Sequence, residues 1–323
     1  MKADLKVKDI VARPGTTQYG FIESGEMQDG AVARLPVAII NGSEDGPILY
    51  VQAASDGNEL NGVAVIHKLL GMVSPEELRG GIIAVPIVNV FAFYSKQAYS
   101  IADGKKMNRC FPGRRRGTSS ERVAYSLFHE AVLQSQYCID LHQGGVGPMV
   151  DSLNVRVNRR HRLHKQCMEL ARVFGIGYIL DQKGPKGQLA QAAPDEGIPT
   201  IDPELGGCHG WDETSVAKGI RGVQNVLKYY GFLDGEPKIP DRQIVVRKFQ
   251  TMYSNRGGFI KYRAERYDVL EYKAPIADIC DAFGRTVETV KAPKKGVLWS
   301  TNLYPMVPSG SSIGVLGINM SYI

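Results

Sequence analysis

Pro47-Ile48-Leu49-Tyr50-Val51-Gln52-Ala53-Ala54-Ser55-Asp56-Gly57-Asn58-Glu59-Leu60-Asn61-Gly62 is the stretch on which the fold turns. Its first eight residues form a nearly continuous apolar run, the pattern of a strand buried on both faces. A short polar turn follows. Residues 61–72 then carry Val63, Val65-Ile66 and Leu69-Leu70 at helical spacing. Strand, polar turn and helix in that order open an α/β unit, and ligands in such sheets collect where strands end.

Working outward, Gly81-Ile82-Ile83-Ala84-Val85-Pro86-Ile87-Val88 reads as a second buried strand and Tyr137-Cys138-Ile139-Asp140-Leu141 as a third. Residues 121–134 place Val123, Leu127, Ala131 and Val132 on one helical side, with Ser119-Ser120 before them as the expected cap. Residues 163–174 are expected to be helical, stopped by Gly175. Residues 4–40 alternate short apolar runs with Gly and Pro, as strands ahead of the main body would. The result is an α/β fold, a sheet with helices on both faces.

Beyond about residue 240 the helical period disappears. Short apolar runs separated by Gly257-Gly258, Ala274-Pro275, Phe283-Gly284, Pro293 and Pro308-Ser309-Gly310 predict a small all-β domain. The breaker-rich stretch 234–241 sets the expected boundary, giving domains 1–240 and 241–323.

Composition narrows the function classes. The chain has 323 residues with 43% hydrophobic and 22% charged, ordinary for a globular protein able to bury a core without staples. A formal charge of +6 and one dense basic cluster, Arg114-Arg115-Arg116, argue for no nucleic-acid partner. No apolar run is long enough for a membrane helix, and residues 1–10 carry no secretory signal, so a cytoplasmic protein without a membrane partner is expected. The five scattered cysteines, without CxxC spacing, predict neither a disulfide framework nor a thiolate zinc site.

Chemistry concentrates at predicted strand ends. Asp56 and Glu59 stand three apart across the first turn, where Gly57 is expected to permit the bend; two carboxylates held close call for a cation between them, although Asp56 or Asn58 could instead cap the next helix. His142 leaves a strand before Gly144-Gly145, and Asp140, two residues back on the same side, can accept its second ring N–H, the arrangement of a metal-bound imidazole. Glu204 lies before the pair Gly206-Gly207, which would let a substrate approach; its carboxylate suits a general base or, equally, a solvated loop. Asn108-Arg109 offers an amide and a guanidinium fork for a substrate carboxylate, with a surface turn as the alternative. His67, His129, His161 and His164 have weaker cases, and His209 could reach the site.

Four of these segments in order, D-G-N-E-L-N-G (56–62), M-N-R-C-F-P-G (107–113), D-L-H-Q-G-G (140–145) and P-E-L-G-G (203–207), resemble the aspartoacylase/succinylglutamate desuccinylase family, a branch of the zinc carboxypeptidase-like fold. The family pattern reads H-G-x-E-x-N-G, D-x-N-R-x-F-P-G, D-L-H-x-G and E-x-G. The C-terminal segment is similar to the small barrel-like domain of many members. The resemblance implies a mixed sheet flanked by helices, one divalent metal ion held by Asp56, Glu59 and His142, Glu204 as general base, and Asn108 and Arg109 on the substrate's carboxylate. It implies hydrolysis of an amide bond in a small N-acyl amino acid or related carboxylate-bearing molecule, and leaves a homo-oligomer open.

Two departures stand out. Asp56 replaces the usual first His, an anionic oxygen for a neutral nitrogen, which shifts the expected metal from the family's zinc toward manganese or iron. The Arg that family members place some ten residues before Asn-Arg is missing from Lys96-Gln97-Ala98-Tyr99-Ser100, leaving Lys96 or Arg156 as substitutes. The departures keep a second expectation alive, a binding or regulatory protein on a catalytically altered scaffold. A third, a peptidase trimming C-terminal residues, sits poorly with a β tail that narrows the entrance.

Overall fold

The computed structural model of the chain describes residues 2–144, 147–207 and 210–323, and for Ser24 the backbone alone. A hairpin of β1 (Leu5–Val7) and β2 (Ile10–Ala12) precedes β3 (Thr16–Glu26), β4 (Val32–Asn41), β5 (Glu44–Ala53), helix α1 (Asn61–Met72) and β6 (Arg79–Val85). Then come α2 (Val90–Ser95), α3 (Ser119–Glu130), β7 (Tyr137–Gly144), β8 (Ser152–Val155), α4 (His164–Phe174), β9 (Tyr178–Asp181), α5 (Leu189–Asp195), β10 (Thr200–Gly207), α6 (Glu213–Tyr229) and β11 (Ile244–Val246). Strands from β12 (Lys248–Tyr253) to β19 (Ser312–Ile318) make two four-stranded sheets, and β20 (Ser321–Tyr322) follows.

The main sheet runs β20-β11-β9-β8-β10-β7-β5-β6-β4-β3. Its centre is parallel, β6 and β7 flanking β5 and β10 beside β7, while β3–β4, β8–β10 and β11–β20 pair antiparallel, so the sheet is mixed as expected. Apolar residues on both faces explain the unbroken runs in the sequence. Leu49, Val51, Ile139 and Ile201 face α1, α4 and α6, packing with Ile66, Leu170 and Val223. Tyr50, Ile83 and Cys138 face the other way, onto Val123, Leu127 and Phe128 of α3, Leu189 of α5 and Val7 of the hairpin. Each fully buried aliphatic side chain contributes about 1.5–3 kcal/mol, so these two layers hold the strand ends in register.

Several elements differ in detail from the sequence reading. Helix α3 is capped by Thr118, not by Ser119-Ser120: the Thr118 side chain and Glu121 form a reciprocal capping box. Gly175 ends α4 at φ 84°, as expected. Helices α2, α5 and α6 were not read from the sequence. In α6, Gly222 leaves room for the Phe174 ring, which a Cβ would meet at 2.0 Å, so a residue that weakens helix propensity is spent on close helix contact. The main sheet also reaches past residue 240: β11 pairs with β9, and β20 returns to β11 after the all-β segment, whose own core includes Ile276, Ile279, Leu298 and Leu316. Among the described residues no helix is long and apolar enough to cross a membrane.

Candidate functional site

Strand register builds the site. Glu204 of β10 stands directly opposite His142 of β7, and Gln52 of β5 opposite Asp140. On the far side of β10, Asp202 pairs with Asn154 of β8. Because alternate residues share a face, Gln52, Asp140, His142, Asp202, Glu204 and Asn154 form one polar row at the strand ends. Arg156, two residues beyond Asn154, extends the row. Such a row buried at the sheet's edge survives only if its groups are paired.

The pairing is nearly complete. His142 Nδ1 lies 2.8 Å from Glu59 Oε2, and its Nε2 lies 3.2 Å from both Asp140 Oδ2 and the Asn108 amide nitrogen. Asp140 Oδ1 accepts from Gln52 at 2.8 Å and from the Ser55 hydroxyl at 3.3 Å. Gln143 ties the first turn to β7: its backbone N–H donates to Glu59, and its side-chain oxygen accepts from the N–H groups of Leu60 and Asn61 at the start of α1. Asn61 completes the brace by donating to the Leu205 carbonyl of β10. Asp140 thus stands beside the His142 ring as the strand spacing requires, though its Oδ2 has no hydrogen-bond partner, and it is Glu59 that bonds the ring directly.

Electrostatics follow from this crowding. Burial opposes charge on His142, but the carboxylates of Asp140, Asp202 and Glu59 outweigh it and raise its pKa well above the usual histidine value. Burial pushes Glu59 up to about 7, with His142 working against it and Asp56 adding to it. Burial, with Asp202 and Glu59 nearby, pushes Glu204 up to about 8, against the pull of His142 and Arg156. Burial resists ionisation of Asp202 as well, yet Arg156 and His142 overcome it and lower its pKa. Arg156 Nε donates to Asp202 at 2.9 Å and its guanidinium stands 3.7 Å from Glu204. Glu59 and Glu204 are thus both poised to exchange a proton near neutrality, and of the two Glu204 is the one not hydrogen-bonded to His142.

Other expected residues are placed differently. Asn108 is buried against His142, whereas Arg109 is exposed and its guanidinium donates to the carbonyl of Asn108. Lys96 is exposed at the end of α2, and Arg156 occupies the site instead. His67 and His129 are exposed on helices, His161 and His164 pair with Asp195 and Asp181, and His209 lies outside the described residues. Gly206 and Gly207 do not open a path for substrate: a Cβ on Gly207 would stand 2.1 Å from the Gly147 carbonyl, and Gly206, at φ 70°, packs on Ser215. Gly57 is required for a different reason than the expected one. Its φ is not left-handed, but a Cβ there would meet the Ala92 carbonyl carbon at 2.1 Å. Gly57→Ala is therefore expected to cost about 1–3 kcal/mol by overpacking, read as a lowered denaturant midpoint at unchanged m.

Lys106 was not anticipated. Its ammonium donates to Asp56 Oδ2 at 2.7 Å, with the lysine's head 5.5 Å from the Tyr99 ring centre. The Asp56 side chain is 8% exposed, and its Oδ1 is buried without a hydrogen-bond partner. This bears on the divalent ion implied by the resemblance. Two donors on a shared tetrahedral zinc stand about 3.3 Å apart, given metal–ligand distances near 2.0 Å. Glu59 and His142 are closer, at hydrogen-bonding distance, and Asp56 is held by a lysine. Among the described residues, no three His, Cys, Asp or Glu side chains form a group that could hold a metal ion. As arranged, Asp56, Glu59 and His142 do not fit the ion.

A cavity of about 590 Å³ opens between Gly144 at the end of β7 and the C-terminal strands, and no residue of the polar row lines it. Met149, Phe249, Trp299, Leu303 and Met306 give it an apolar lining, in contrast to the charged row itself.

Comparison with known proteins accords with this architecture. The chain is 27% identical over 315 residues to N-alpha-acetyl-L-2,4-diaminobutyric acid deacetylase of Halomonas elongata, covering 93% of this chain and 91% of that protein. The product-bound ectoine utilization protein EutE (DoeB) of Ruegeria pomeroyi superposes with a TM-score of 0.83 at 22% identity, covering 95% of this chain and 97% of that one. A succinylglutamate desuccinylase/aspartoacylase of Rhodobacter sphaeroides gives 0.81 at 23% identity, covering 94% and 95%. The family profile described as the succinylglutamate desuccinylase/aspartoacylase catalytic domain matches residues 45–230, the segment that carries the whole polar row, and the chain belongs to that family.

Proposed function

We propose that this protein hydrolyses the amide bond of a small N-acyl amino acid, or a related molecule bearing a carboxylate. The observation that carries the reading is the register of β7 and β10, which sets Glu204 beside His142, where burial pushes its carboxyl up to about 8. In its ionised form Glu204 takes a proton from an attacking water. The water oxygen bonds to the acyl carbon, the C–N bond breaks, and the proton passes to the departing amine. The Asn108 amide, buried beside the His142 ring, supplies a donor toward the oxygen on which charge develops, while the imidazole, engaged at both nitrogens, holds Glu59 and Asn108 in place. Arg156 holds Asp202 and Glu204 in place. Arg109, on the exposed side of Asn108, is the fork for a substrate carboxylate. The resemblance adds one divalent ion, zinc or else manganese or iron; no step is assigned to it with the side chains arranged as they are.

A second reading is favoured by one observation, the Asp56–Lys106 pair in place of a ligand: a protein that binds such a molecule without turning it over. A panel of N-acyl amino acids, with and without a free carboxylate, separates the two. Equimolar acid and amine from the carboxylate-bearing members supports hydrolysis. Saturable binding of those members with no amine released supports the second reading and ends the first.

A further inference from the structure

The family pattern opens one motif with His and another with Asp, in H-G-x-E and D-x-N-R. In this chain those two positions are Asp56 and Lys106, and they touch each other at 2.7 Å. Either change alone would be unfavourable. Asp56 facing an aspartate would set two carboxylates together, and Lys106 facing a histidine whose other nitrogen holds a metal would set an ammonium against an N–H. Together they exchange one complementary pair for another with the polarity reversed. The pair is well supported. Asp56 lies in a turn pinned by the Gly57 N–H to the Gln97 carbonyl at 2.9 Å, and Lys106, 28% exposed, precedes the short helical turn that carries Asn108.

We propose that Lys106 is the resident cation of Asp56. The ammonium takes the first expected metal ligand out of reach and leaves Glu59 and His142 as the two remaining donors, bonded to each other. The chain then holds a divalent ion loosely, and tight binding returns when the pair is undone. Asp56 Oδ2 is the atom released once Lys106 no longer fixes the carboxylate, and Oδ1, buried without a hydrogen-bond partner, leaves the group free to turn toward a new cation. The inference concerns the same site as the deacylase reading but is tested without turnover.

The test uses zinc itself. Full-length wild type, Lys106→Met and the double change Asp56→His/Lys106→Asp are loaded with zinc, desalted and assayed for bound metal. Affinity is then measured by competition with a chelating dye, and melting curves confirm that each protein is folded. Wild type is expected to keep less than about 0.2 equivalent, the double variant about one equivalent, and both variants to bind at least about tenfold more tightly than wild type. Lys106→Met keeps an apolar stem over Tyr99, so it reports even if the double variant fails to fold. Wild type retaining a full equivalent, or folded variants that bind zinc no better than wild type, would overturn the proposal. The deacylase reading stands or falls separately, on amine release.

Discussion

Glu204→Gln is expected to reduce amide hydrolysis by about 10²–10⁴-fold, the usual contribution of a positioned acid–base group. Glutamine retains the shape and the contact with Asn154 at 3.4 Å but cannot carry the proton. The wild-type rate is expected to rise with pH and level off above about 8, since the base works only when ionised and burial, with Asp202 and Glu59, pushes its pKa there. The same shift has a stability signature of opposite sense. The carboxyl is raised from 4.5 to about 8, so the folded state holds a proton that the unfolded chain has already lost. That stability is fully present below 4.5 and is lost as pH rises through 8. Glutamine does not titrate. The variant's stability relative to wild type should therefore improve by about 2–4 kcal/mol between pH 5 and pH 9, measured by urea unfolding at both. A structural glutamate at the surface would give neither the rate loss nor the pH-dependent gain.

The second large effect concerns Arg156, whose side chain is 16% exposed. Replacing it with methionine leaves Asp202, 2% exposed, without its cation and Glu204 without its positive neighbour. Breaking a buried ion pair by removing one partner costs about 3–5 kcal/mol, because the stranded charge keeps its desolvation penalty. Arg156→Met is accordingly expected to lower the unfolding free energy by an amount in that range, read as a lower denaturant midpoint at unchanged m. It should also move the rising limb of the rate profile to higher pH, since Arg156 is one of the two groups that hold the Glu204 pKa down. Unchanged stability together with an unmoved profile would show that Arg156 is no part of the site.

How much of this was legible beforehand depends on range. The strand before Asp56, helix α1, strand β7 and the stop at Gly175 follow from local periodicity and chain punctuation, and the structure has them within a few residues. His142 with Asp140 was visible because a two-residue spacing on a strand fixes a shared face, whereas Glu59, in the turn after β5, was joined to them only by the family resemblance. The pairing of Glu204 with His142 was not, since it depends on the register of two strands some sixty residues apart in sequence. Arg156 was noted only as a substitute for a missing arginine, and its attachment to Asp202 comes from the antiparallel partner strand β8. Lys106 left a clear trace, the lost Asp of D-x-N-R, that becomes meaningful only when Asp56 is seen across from it. Gly57, Gly206 and Gly207 were read as freedom for turns or substrate; Gly57 and Gly207 serve close approach of backbone to backbone, which no single-chain pattern displays.

The most direct measurement is amine release from a carboxylate-bearing N-acyl amino acid by wild type and Glu204→Gln side by side, from pH 6 to pH 9. Turnover in the wild type that climbs toward pH 8 and is nearly absent in the variant is the predicted result. Equal release by both proteins, or none from a wild type that nonetheless binds the substrate, would contradict it.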